Sequence, residues 1–350
     1  MRLVTHVLTA PMAKCFGLAY SAYMQTTPRL IVALLAAGLP GFAASAQTGP
    51  TLMLDPWAEN TAAEVSIHGL TQDTQSQQTG LDVDLNLFDV TGRVRLDPGS
   101  DYDPALGFSY SHLDLRTADP GLPGELVDMS LALGGRLGDV DLGETLGGQW
   151  DMIYTVGLGY AGTAPVNDGE AWYLKANLFA IKPIDKDRSW LVGINYDGNR
   201  SFFPDLPLPA VTYFARLTET ITYGLGFPVS RLTWAPNDAW KVQVNALVFF
   251  SLTASVEYQV SDRLTLFGTY DKRSEAYHLS GDVDNRRLFY SIERVEAGLR
   301  YELTDNLDLL VAVGYAIDEE FERGFDQQDT TTVRDLDEAI YVRGGLEMTF

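Results

Sequence analysis

From about residue 61 to the last residue, apolar and polar positions alternate in runs of roughly 9 to 14 residues, the period of β-strands with two chemically different faces. The final run is the clearest. Ile340, Val342, Gly344, Leu346, Met348 and Phe350 share one face, and Tyr341, Arg343, Gly345, Glu347 and Thr349 the other. Trp150, Met152, Tyr154, Val156, Leu158 and Tyr160 form a second apolar face, and Val295, Ala297, Leu299, Tyr301 and Leu303 a third that opposes Glu296, Arg300 and Glu302. Leu307, Leu309, Val311, Val313, Tyr315 and Ile317 follow the tight turn Thr304-Asp305-Asn306. Ser261-Asp262-Arg263 makes an equivalent turn between Tyr258 and Leu264, so two hairpins repeat one pattern.

Further strands are expected over Val65–Gly69, Leu81–Val90, Leu106–Leu115, Val127–Leu137, Trp172–Ile181 and Trp190–Tyr196. Between Tyr196 and Trp240 five prolines interrupt the pattern and leave room for one strand by this reading. The total is about 12 strands, within a range of 10 to 14. Tyr270–Leu288 and the acidic stretch Asp318–Ala339 read as long loops, in contrast to the short turns at Asp262 and Asp305.

Alternation alone also fits a soluble sandwich. The span separates the two. Trp150 and Tyr160 lie ten residues apart on one face, roughly 33 Å along a strand. Tilted by about 40°, that projects to roughly 25 Å, the height of a membrane barrel's apolar band. These two residues are the expected interface aromatics. The expected fold is an all-β transmembrane antiparallel up-and-down barrel, because backbone groups in lipid must all pair within the protein and only a closed sheet does so with strands. The charges Glu296, Arg300, Glu302, Arg343 and Glu347 then face the lumen.

Ahead of the strands, Arg29 precedes the apolar run Leu30–Leu39, Pro40-Gly41 breaks it, and Ala44-Ser45-Ala46 supplies small residues for cleavage. Residues 1–46 read as a secretory leader, with Met24 an alternative start, 47–60 as a polar lead-in and 61–350 as the barrel. Export through the inner membrane to the outer membrane follows from this reading.

Composition narrows the partners. The chain carries 25 Lys+Arg against 47 Asp+Glu, a formal charge of -22, which repels nucleic acid. The one cysteine, Cys15, lies in the leader. Divalent cations at the acidic loops are a route to lipopolysaccharide, and Asp318–Glu338 holds nine acids against two arginines.

The C-terminal alternating strand Ile340, Val342, Gly344, Leu346, Met348 and Phe350 resembles the assembly signal of bacterial outer-membrane proteins, which implies the barrel-assembly machinery and outer-membrane lipid as partners. Gly226-Phe227-Pro228, Trp234-Ala235-Pro236 and Trp240, followed by hairpins to Phe350, resemble an uncharacterised family of outer-membrane β-barrels over roughly Trp150–Phe350. That resemblance implies no activity, cofactor or catalytic residue.

Motifs for other chemistry have plainer readings. Gly157, Gly159 and Gly162 have dinucleotide-loop spacing, but no helix follows to meet a pyrophosphate. Asp82, Asp84 and Asn86 begin like a calcium loop, yet Leu87 stands where glycine is needed, so they read as lumen-facing polar residues. Ser66 near His68 and Ser280 near His278 are the pairs on which a lipid hydrolase or acyltransferase would rest. No catalytic, cofactor or metal residue is assigned. The expected function is a non-enzymatic barrel, structural or poorly conducting, with Phe203–Pro209 as an inserted plug. The alternatives are a porin-like passive channel, a membrane lipid enzyme and a secreted soluble binding protein.

Overall fold

A computed structural model describes residues 48–55, 57, 61–141, 143, 148–247, 250–281 and 286–350. The leader expected over 1–46 lies outside the described residues. One short helical turn, α1 (Thr51–Leu54), precedes the strands. These are β1 (Ala63–Gln75), β2 (Asp82–Arg95), β3 (Ala105–Thr117), β4 (Glu125–Asp141), β5 (Gln149–Thr163), β6 (Trp172–Pro183), β7 (Arg188–Asp197), β8 (Leu208–Arg216) and β9 (Ile221–Phe227). The chain continues through β10 (Val229–Asn237), β11 (Trp240–Leu247), β12 (Ser251–Ser261), β13 (Leu264–His278), β14 (Arg287–Thr304), β15 (Leu307–Gly324), β16 (Thr330–Leu336) and β17 (Ala339–Thr349).

Each strand from β1 to β15 pairs antiparallel with the next, β17 pairs with β15, and β1 pairs with β17, so the sheet closes on itself. β16 pairs with the far part of β15 and β17 with the near part, so together they occupy one position in the ring. The result is a closed all-β antiparallel barrel of 16 strands, which corrects the sequence estimate of about 12.

The missing strands lie where prolines hid them. Pro209 stands on β8 before its first pair with β9, Pro228 forms the β9–β10 tip, and Pro236 sits in the register shift between Trp234 and Asn237. Proline lacks an N–H, so unpaired edges, tips and bulges are where a sheet accepts it. The two expected long acidic loops are also mostly strand. β13 runs on to His278, and β15 with β16 forms a hairpin over most of Asp318–Ala339.

Ala63 and Phe350 meet at one rim, here the terminal rim, whose connections shrink to two residues at 238–239, 262–263 and 305–306. Above it, Leu131, Leu133, Val156, Leu158, Leu174, Ile194, Val211, Leu225, Val256, Leu299, Val311 and Val313 point outward and are exposed, an apolar belt around the wall. Trp190 packs on Tyr213 at 5.0 Å and Trp240 on Tyr258 at 4.7 Å between ring centroids, marking the terminal edge of that belt. Amphipathic rings favour such an edge between apolar and wet surroundings.

Toward the opposite rim the chemistry inverts. Val83, Leu85 and Leu87 of β2, Leu113 and Leu115 of β3, Leu288, Tyr290 and Ile292 of β14 and Phe321 of β15 point inward and form one packed core. Asp82 and Asp84 are exposed on the outer face, with Asn86 on the same side, so the lumen-facing reading of these three is corrected. These strand ends are built like a soluble sheet, polar outside and apolar inside.

Candidate functional site: the occluded lumen

The stretch expected as a polar lead-in enters the barrel instead. Leu52 is 0% and Met53 8% exposed, packed with Ala132, Ile153, Phe179, Ile181, Leu191 and Ala210 from the inner faces of β4 to β8. Two apolar residues inside a lumen gain by leaving water only if the wall opposite is apolar too, and here it is. Polar bonds fix the segment at both ends. Thr48 Oγ1 lies 2.6 Å from Ser130 Oγ and accepts from Lys175 Nζ at 3.4 Å, while Arg93 donates to the Asp55 carbonyl at 2.9 Å. The Arg93 and Arg95 guanidinium carbons sit 4.2 and 4.7 Å from the centroid of the Trp57 ring.

The other side of the lumen is a lattice of opposite charges. Arg343 donates to Glu296, with Nε at 3.1 Å, and Tyr341 donates to the same carboxylate at 3.2 Å. Arg300 pairs with Glu347 at 3.0 Å and with Glu257 at 3.6 Å, and His68 stands 3.6 Å from Glu347. Higher up, Asp271 holds Arg273 and, at 3.4 Å, Arg294, and Arg273 Nε donates to Glu275 at 3.0 Å. Of the five charges singled out in the sequence, four are thus joined in pairs, and Glu302 lies apart near the terminal-rim end of β14. Both signs alternate around the wall, so no single-sign ring of the kind that selects ions is formed by these groups.

At the far end, packing draws opposite walls together. β13 leans across to β5, where His278 bridges Gly162, and a Cβ on Gly162 would come within 2.9 Å of the His278 carbonyl. Gly159 likewise admits the Tyr173 ring, which an added Cβ would meet at 2.3 Å. The spacing of these glycines serves close approach of walls. The segment 198–207 between β7 and β8 crosses toward β13 and β14, with Asn199 donating to the Ala276 carbonyl at 2.8 Å and Arg287 donating to the Arg200 and Phe325 carbonyls at 3.0 Å. The expected insert Phe203–Pro209 therefore belongs to a strap at the far rim and the start of β8, while residues 48–55 and Trp57 take the place inside.

The interface aromatics part company. Trp150 stands at the terminal-rim start of β5, with Lys182 Nζ 5.4 Å from its ring centroid. Tyr160 is 0% exposed, donates to the Thr163 carbonyl at 2.8 Å and packs edge-on against Trp172, which is 44% exposed and holds the outer position. The face Ile340, Val342, Gly344, Leu346, Met348 and Phe350 points outward on β17 beside β1, and the Phe350 N–H donates to the Ala63 carbonyl at 2.8 Å. Of the serine–histidine pairs, His68 is engaged by Glu347, and Ser280 lies 3.2 Å from Thr163. Among the described residues no group of three or more His, Cys, Asp or Glu is arranged to hold a metal.

Fold and site together define a closed sixteen-stranded barrel with an apolar belt and a lumen into which Leu52 and Met53 fold. Residues 215–346, somewhat over a third of the chain, match the family model described as a domain of unknown function, DUF6268. That span includes the Gly226-Phe227-Pro228, Trp234-Ala235-Pro236 and Trp240 cluster on which the resemblance rests. No curated protein sequence matches the chain. Among solved structures, the chain is similar to the ΔS2S3 mutant of the TodX monoaromatic hydrocarbon channel, at 11% identity over 89% of this chain and 95% of that one, with a TM-score of 0.39. An outer-membrane channel from Pseudomonas putida F1 aligns at 10% identity over 85% and 99%, TM-score 0.36. A Pseudomonas aeruginosa FadL homologue aligns at 10% over 89% and 95%, TM-score 0.37.

Proposed function

We propose that this chain is a non-enzymatic outer-membrane barrel, exported by a cleaved leader, whose resting state conducts poorly because residues 48–57 close it. The observation that carries this reading is the burial of Leu52 and Met53 among inward apolar residues of β4 to β8. Sixteen strands leave an aqueous channel in porins, so the wall alone would not keep the lumen shut. Its partners in this reading are outer-membrane lipid and the barrel-assembly machinery. The outward carboxylates of the far extension, Glu320 and Glu322 among them, are where divalent cations would bridge diffusely to lipopolysaccharide.

The strand number favours a second reading, a passive channel that opens when the segment leaves. Planar-bilayer conductance of the intact protein and of a variant lacking residues 48–57 separates the two. Silence or brief small steps from the intact protein, and large steady steps from the variant, are expected. Large steady steps from the intact protein would replace the plugged reading with the channel.

A further inference from the structure

The barrel wall is cut low at one place. β9 has 7 residues and β10 has 9, whereas β14 and β15 have 18 each. From Trp234, at the terminal edge of the belt, β10 climbs to Val229, roughly 17 Å along the strand. At a tilt of about 40° that is ~13 Å of height, about half of a ~25 Å apolar band. The β9–β10 hairpin therefore stops inside the bilayer.

Among the described residues no ladder pair replaces it above that point. Leu208, Pro209 and Ala210 of β8 precede the first β8–β9 pair, Val211 with Phe227, and the β10–β11 pairing ends at Val229 with Leu247. The opening is roofed by Phe202 of the far-rim strap and Phe250 of the β11–β12 tip, whose rings stack at 3.8 Å. Phe203, Leu206, Phe227 and Val229 are exposed around it. An unpaired strand edge in lipid is costly, so such a notch is tolerated where it borders protein or a cavity rather than open hydrocarbon.

Behind the hairpin lies a polar patch, bounded by Arg231, which pairs with Asn245, and by Lys241 and Glu257 one inward step below. Gln243 of β11 faces inward between Thr233 of β10 and Ser255 of β12, with Asn245 one step higher. Gln243 is 2% exposed, and both its amide nitrogen and its carbonyl oxygen lack a hydrogen-bond partner. An amide buried without a partner has given up its water and gained no hydrogen bond in return. Gln243 sits four positions below Leu247, roughly 13 Å along the strand from the notch.

We propose that Gln243 is the head-group subsite for a neutral, single-chain amphipathic molecule that enters from the bilayer over the β9–β10 tip. A hydroxyl or amide head would both donate to and accept from the Gln243 amide, which no described residue does. A hydrocarbon tail of about ten carbons would span back to the notch. The proposal rests on the outer-membrane reading, but it does not depend on the plug.

The test uses full-length protein with Cys15→Ser, folded in lipid nanodiscs and checked by heat-modifiable migration. Gln243→Cys should react with N-decylmaleimide, which partitions into the bilayer, at least tenfold faster than Asn177→Cys, which faces the lumen on β6. A membrane-impermeant sulfonated maleimide should show no such preference. In the Gln243-containing chain, the side-chain amide NMR signal that Gln243→Leu removes should shift saturably with 1-decanol and not with decane. Equal alkyl-maleimide rates at the two positions, or faster labelling of Gln243→Cys by the sulfonated reagent, would overturn entry from the bilayer. A signal that ignores 1-decanol would overturn the subsite. Neither readout involves conductance, so a failure of the plugged reading would register separately.

Discussion

On β15 the first part of the strand turns Leu309, Val311, Val313 and Tyr315 outward, whereas the last part turns Glu320 and Glu322 outward and buries Phe321. The change is made by one residue. Glu293 of β14 pairs with Asp318 and Arg294 with Ala316, so Ile317 is the extra residue of a bulge that shifts the two-residue phase. β14 keeps its phase throughout and changes its residues instead, from Leu288, Tyr290 and Ile292 inward to Arg294, Glu296 and Arg300 inward. In the proposed outer-membrane setting, one barrel thus contains a wall solvated by lipid, whose polar side faces in, and an extension solvated by water, whose apolar side faces in. The outer solvent sets which face carries the hydrophobic residues.

The largest effect should come from the point where the lipid-facing wall closes. Deleting Phe350 removes its backbone bonds to Ala63 and the last member of the outward face of β17. The expected outcome is loss of assembled barrel from the outer membrane with export unchanged, measured by fractionation and heat-modifiable migration. Normal amounts of folded protein would show that closure between β17 and β1 tolerates a shorter end.

Reciprocal substitutions sharpen the comparison. Phe321→Ala empties part of the extension's core, where Phe321 stacks on Tyr290 at 4.8 Å, and should cost about 3–5 kcal/mol. Leu299→Arg puts a charge on the outward belt and should cost ~2–4 kcal/mol in a bilayer. Glu320→Arg, also outward but in the extension, should change stability by less than about 0.5 kcal/mol. Urea unfolding in vesicles and in detergent measures all three. Similar costs for Leu299→Arg and Glu320→Arg would mean that the belt does not end where the bulge places it.

The same contrast explains what the sequence conceals. Alternation defines two faces for β2, but not which solvent each meets, so Asp82, Asp84 and Asn86 read as lumenal although they point out. The charges of β14 and β17 are legible because they lie on strands whose other face is apolar, over Val295–Leu303 and Ile340–Phe350. A bulge such as that at Ile317 adds one residue without a composition signal, and carrying the phase onward places Phe321 on the wrong side. Leu52-Met53 is too short to carry a period at all. The prolines between Tyr196 and Trp240 mark edges and tips, and they conceal the short strands whose shortness makes the notch.

The most local effect concerns how the extension is tied together. Asp119, between β3 and β4, accepts from Arg334 of β16 through Nε at 2.6 Å and Nη2 at 2.8 Å, from Thr79 at 2.9 Å and from the Gly121 N–H at 2.8 Å. The Arg334 guanidinium, together with the Gly121 and Thr79 donors, holds its carboxyl well below the usual carboxylate range. Because the folded value is depressed, the stabilisation is fully present above the unfolded value near 4 and is lost as pH falls toward the folded value. Glu319 works in the opposite sense. Burial raises its pKa while Gln72 and Tyr290 donate to it, so its contribution weakens as pH rises from the unfolded value toward the folded one. Asp119→Asn should therefore destabilise the β3–β4 and β16 contact by about 1–3 kcal/mol at pH 7. The difference from the parent should shrink below pH 4, and hydrogen exchange of β16 amides reads this local opening where global unfolding does not. A difference that stays constant from pH 7 to pH 2.5 would assign the effect of Asp119→Asn to packing around the side chain, and would leave the carboxylate's charge without a part in holding the extension closed.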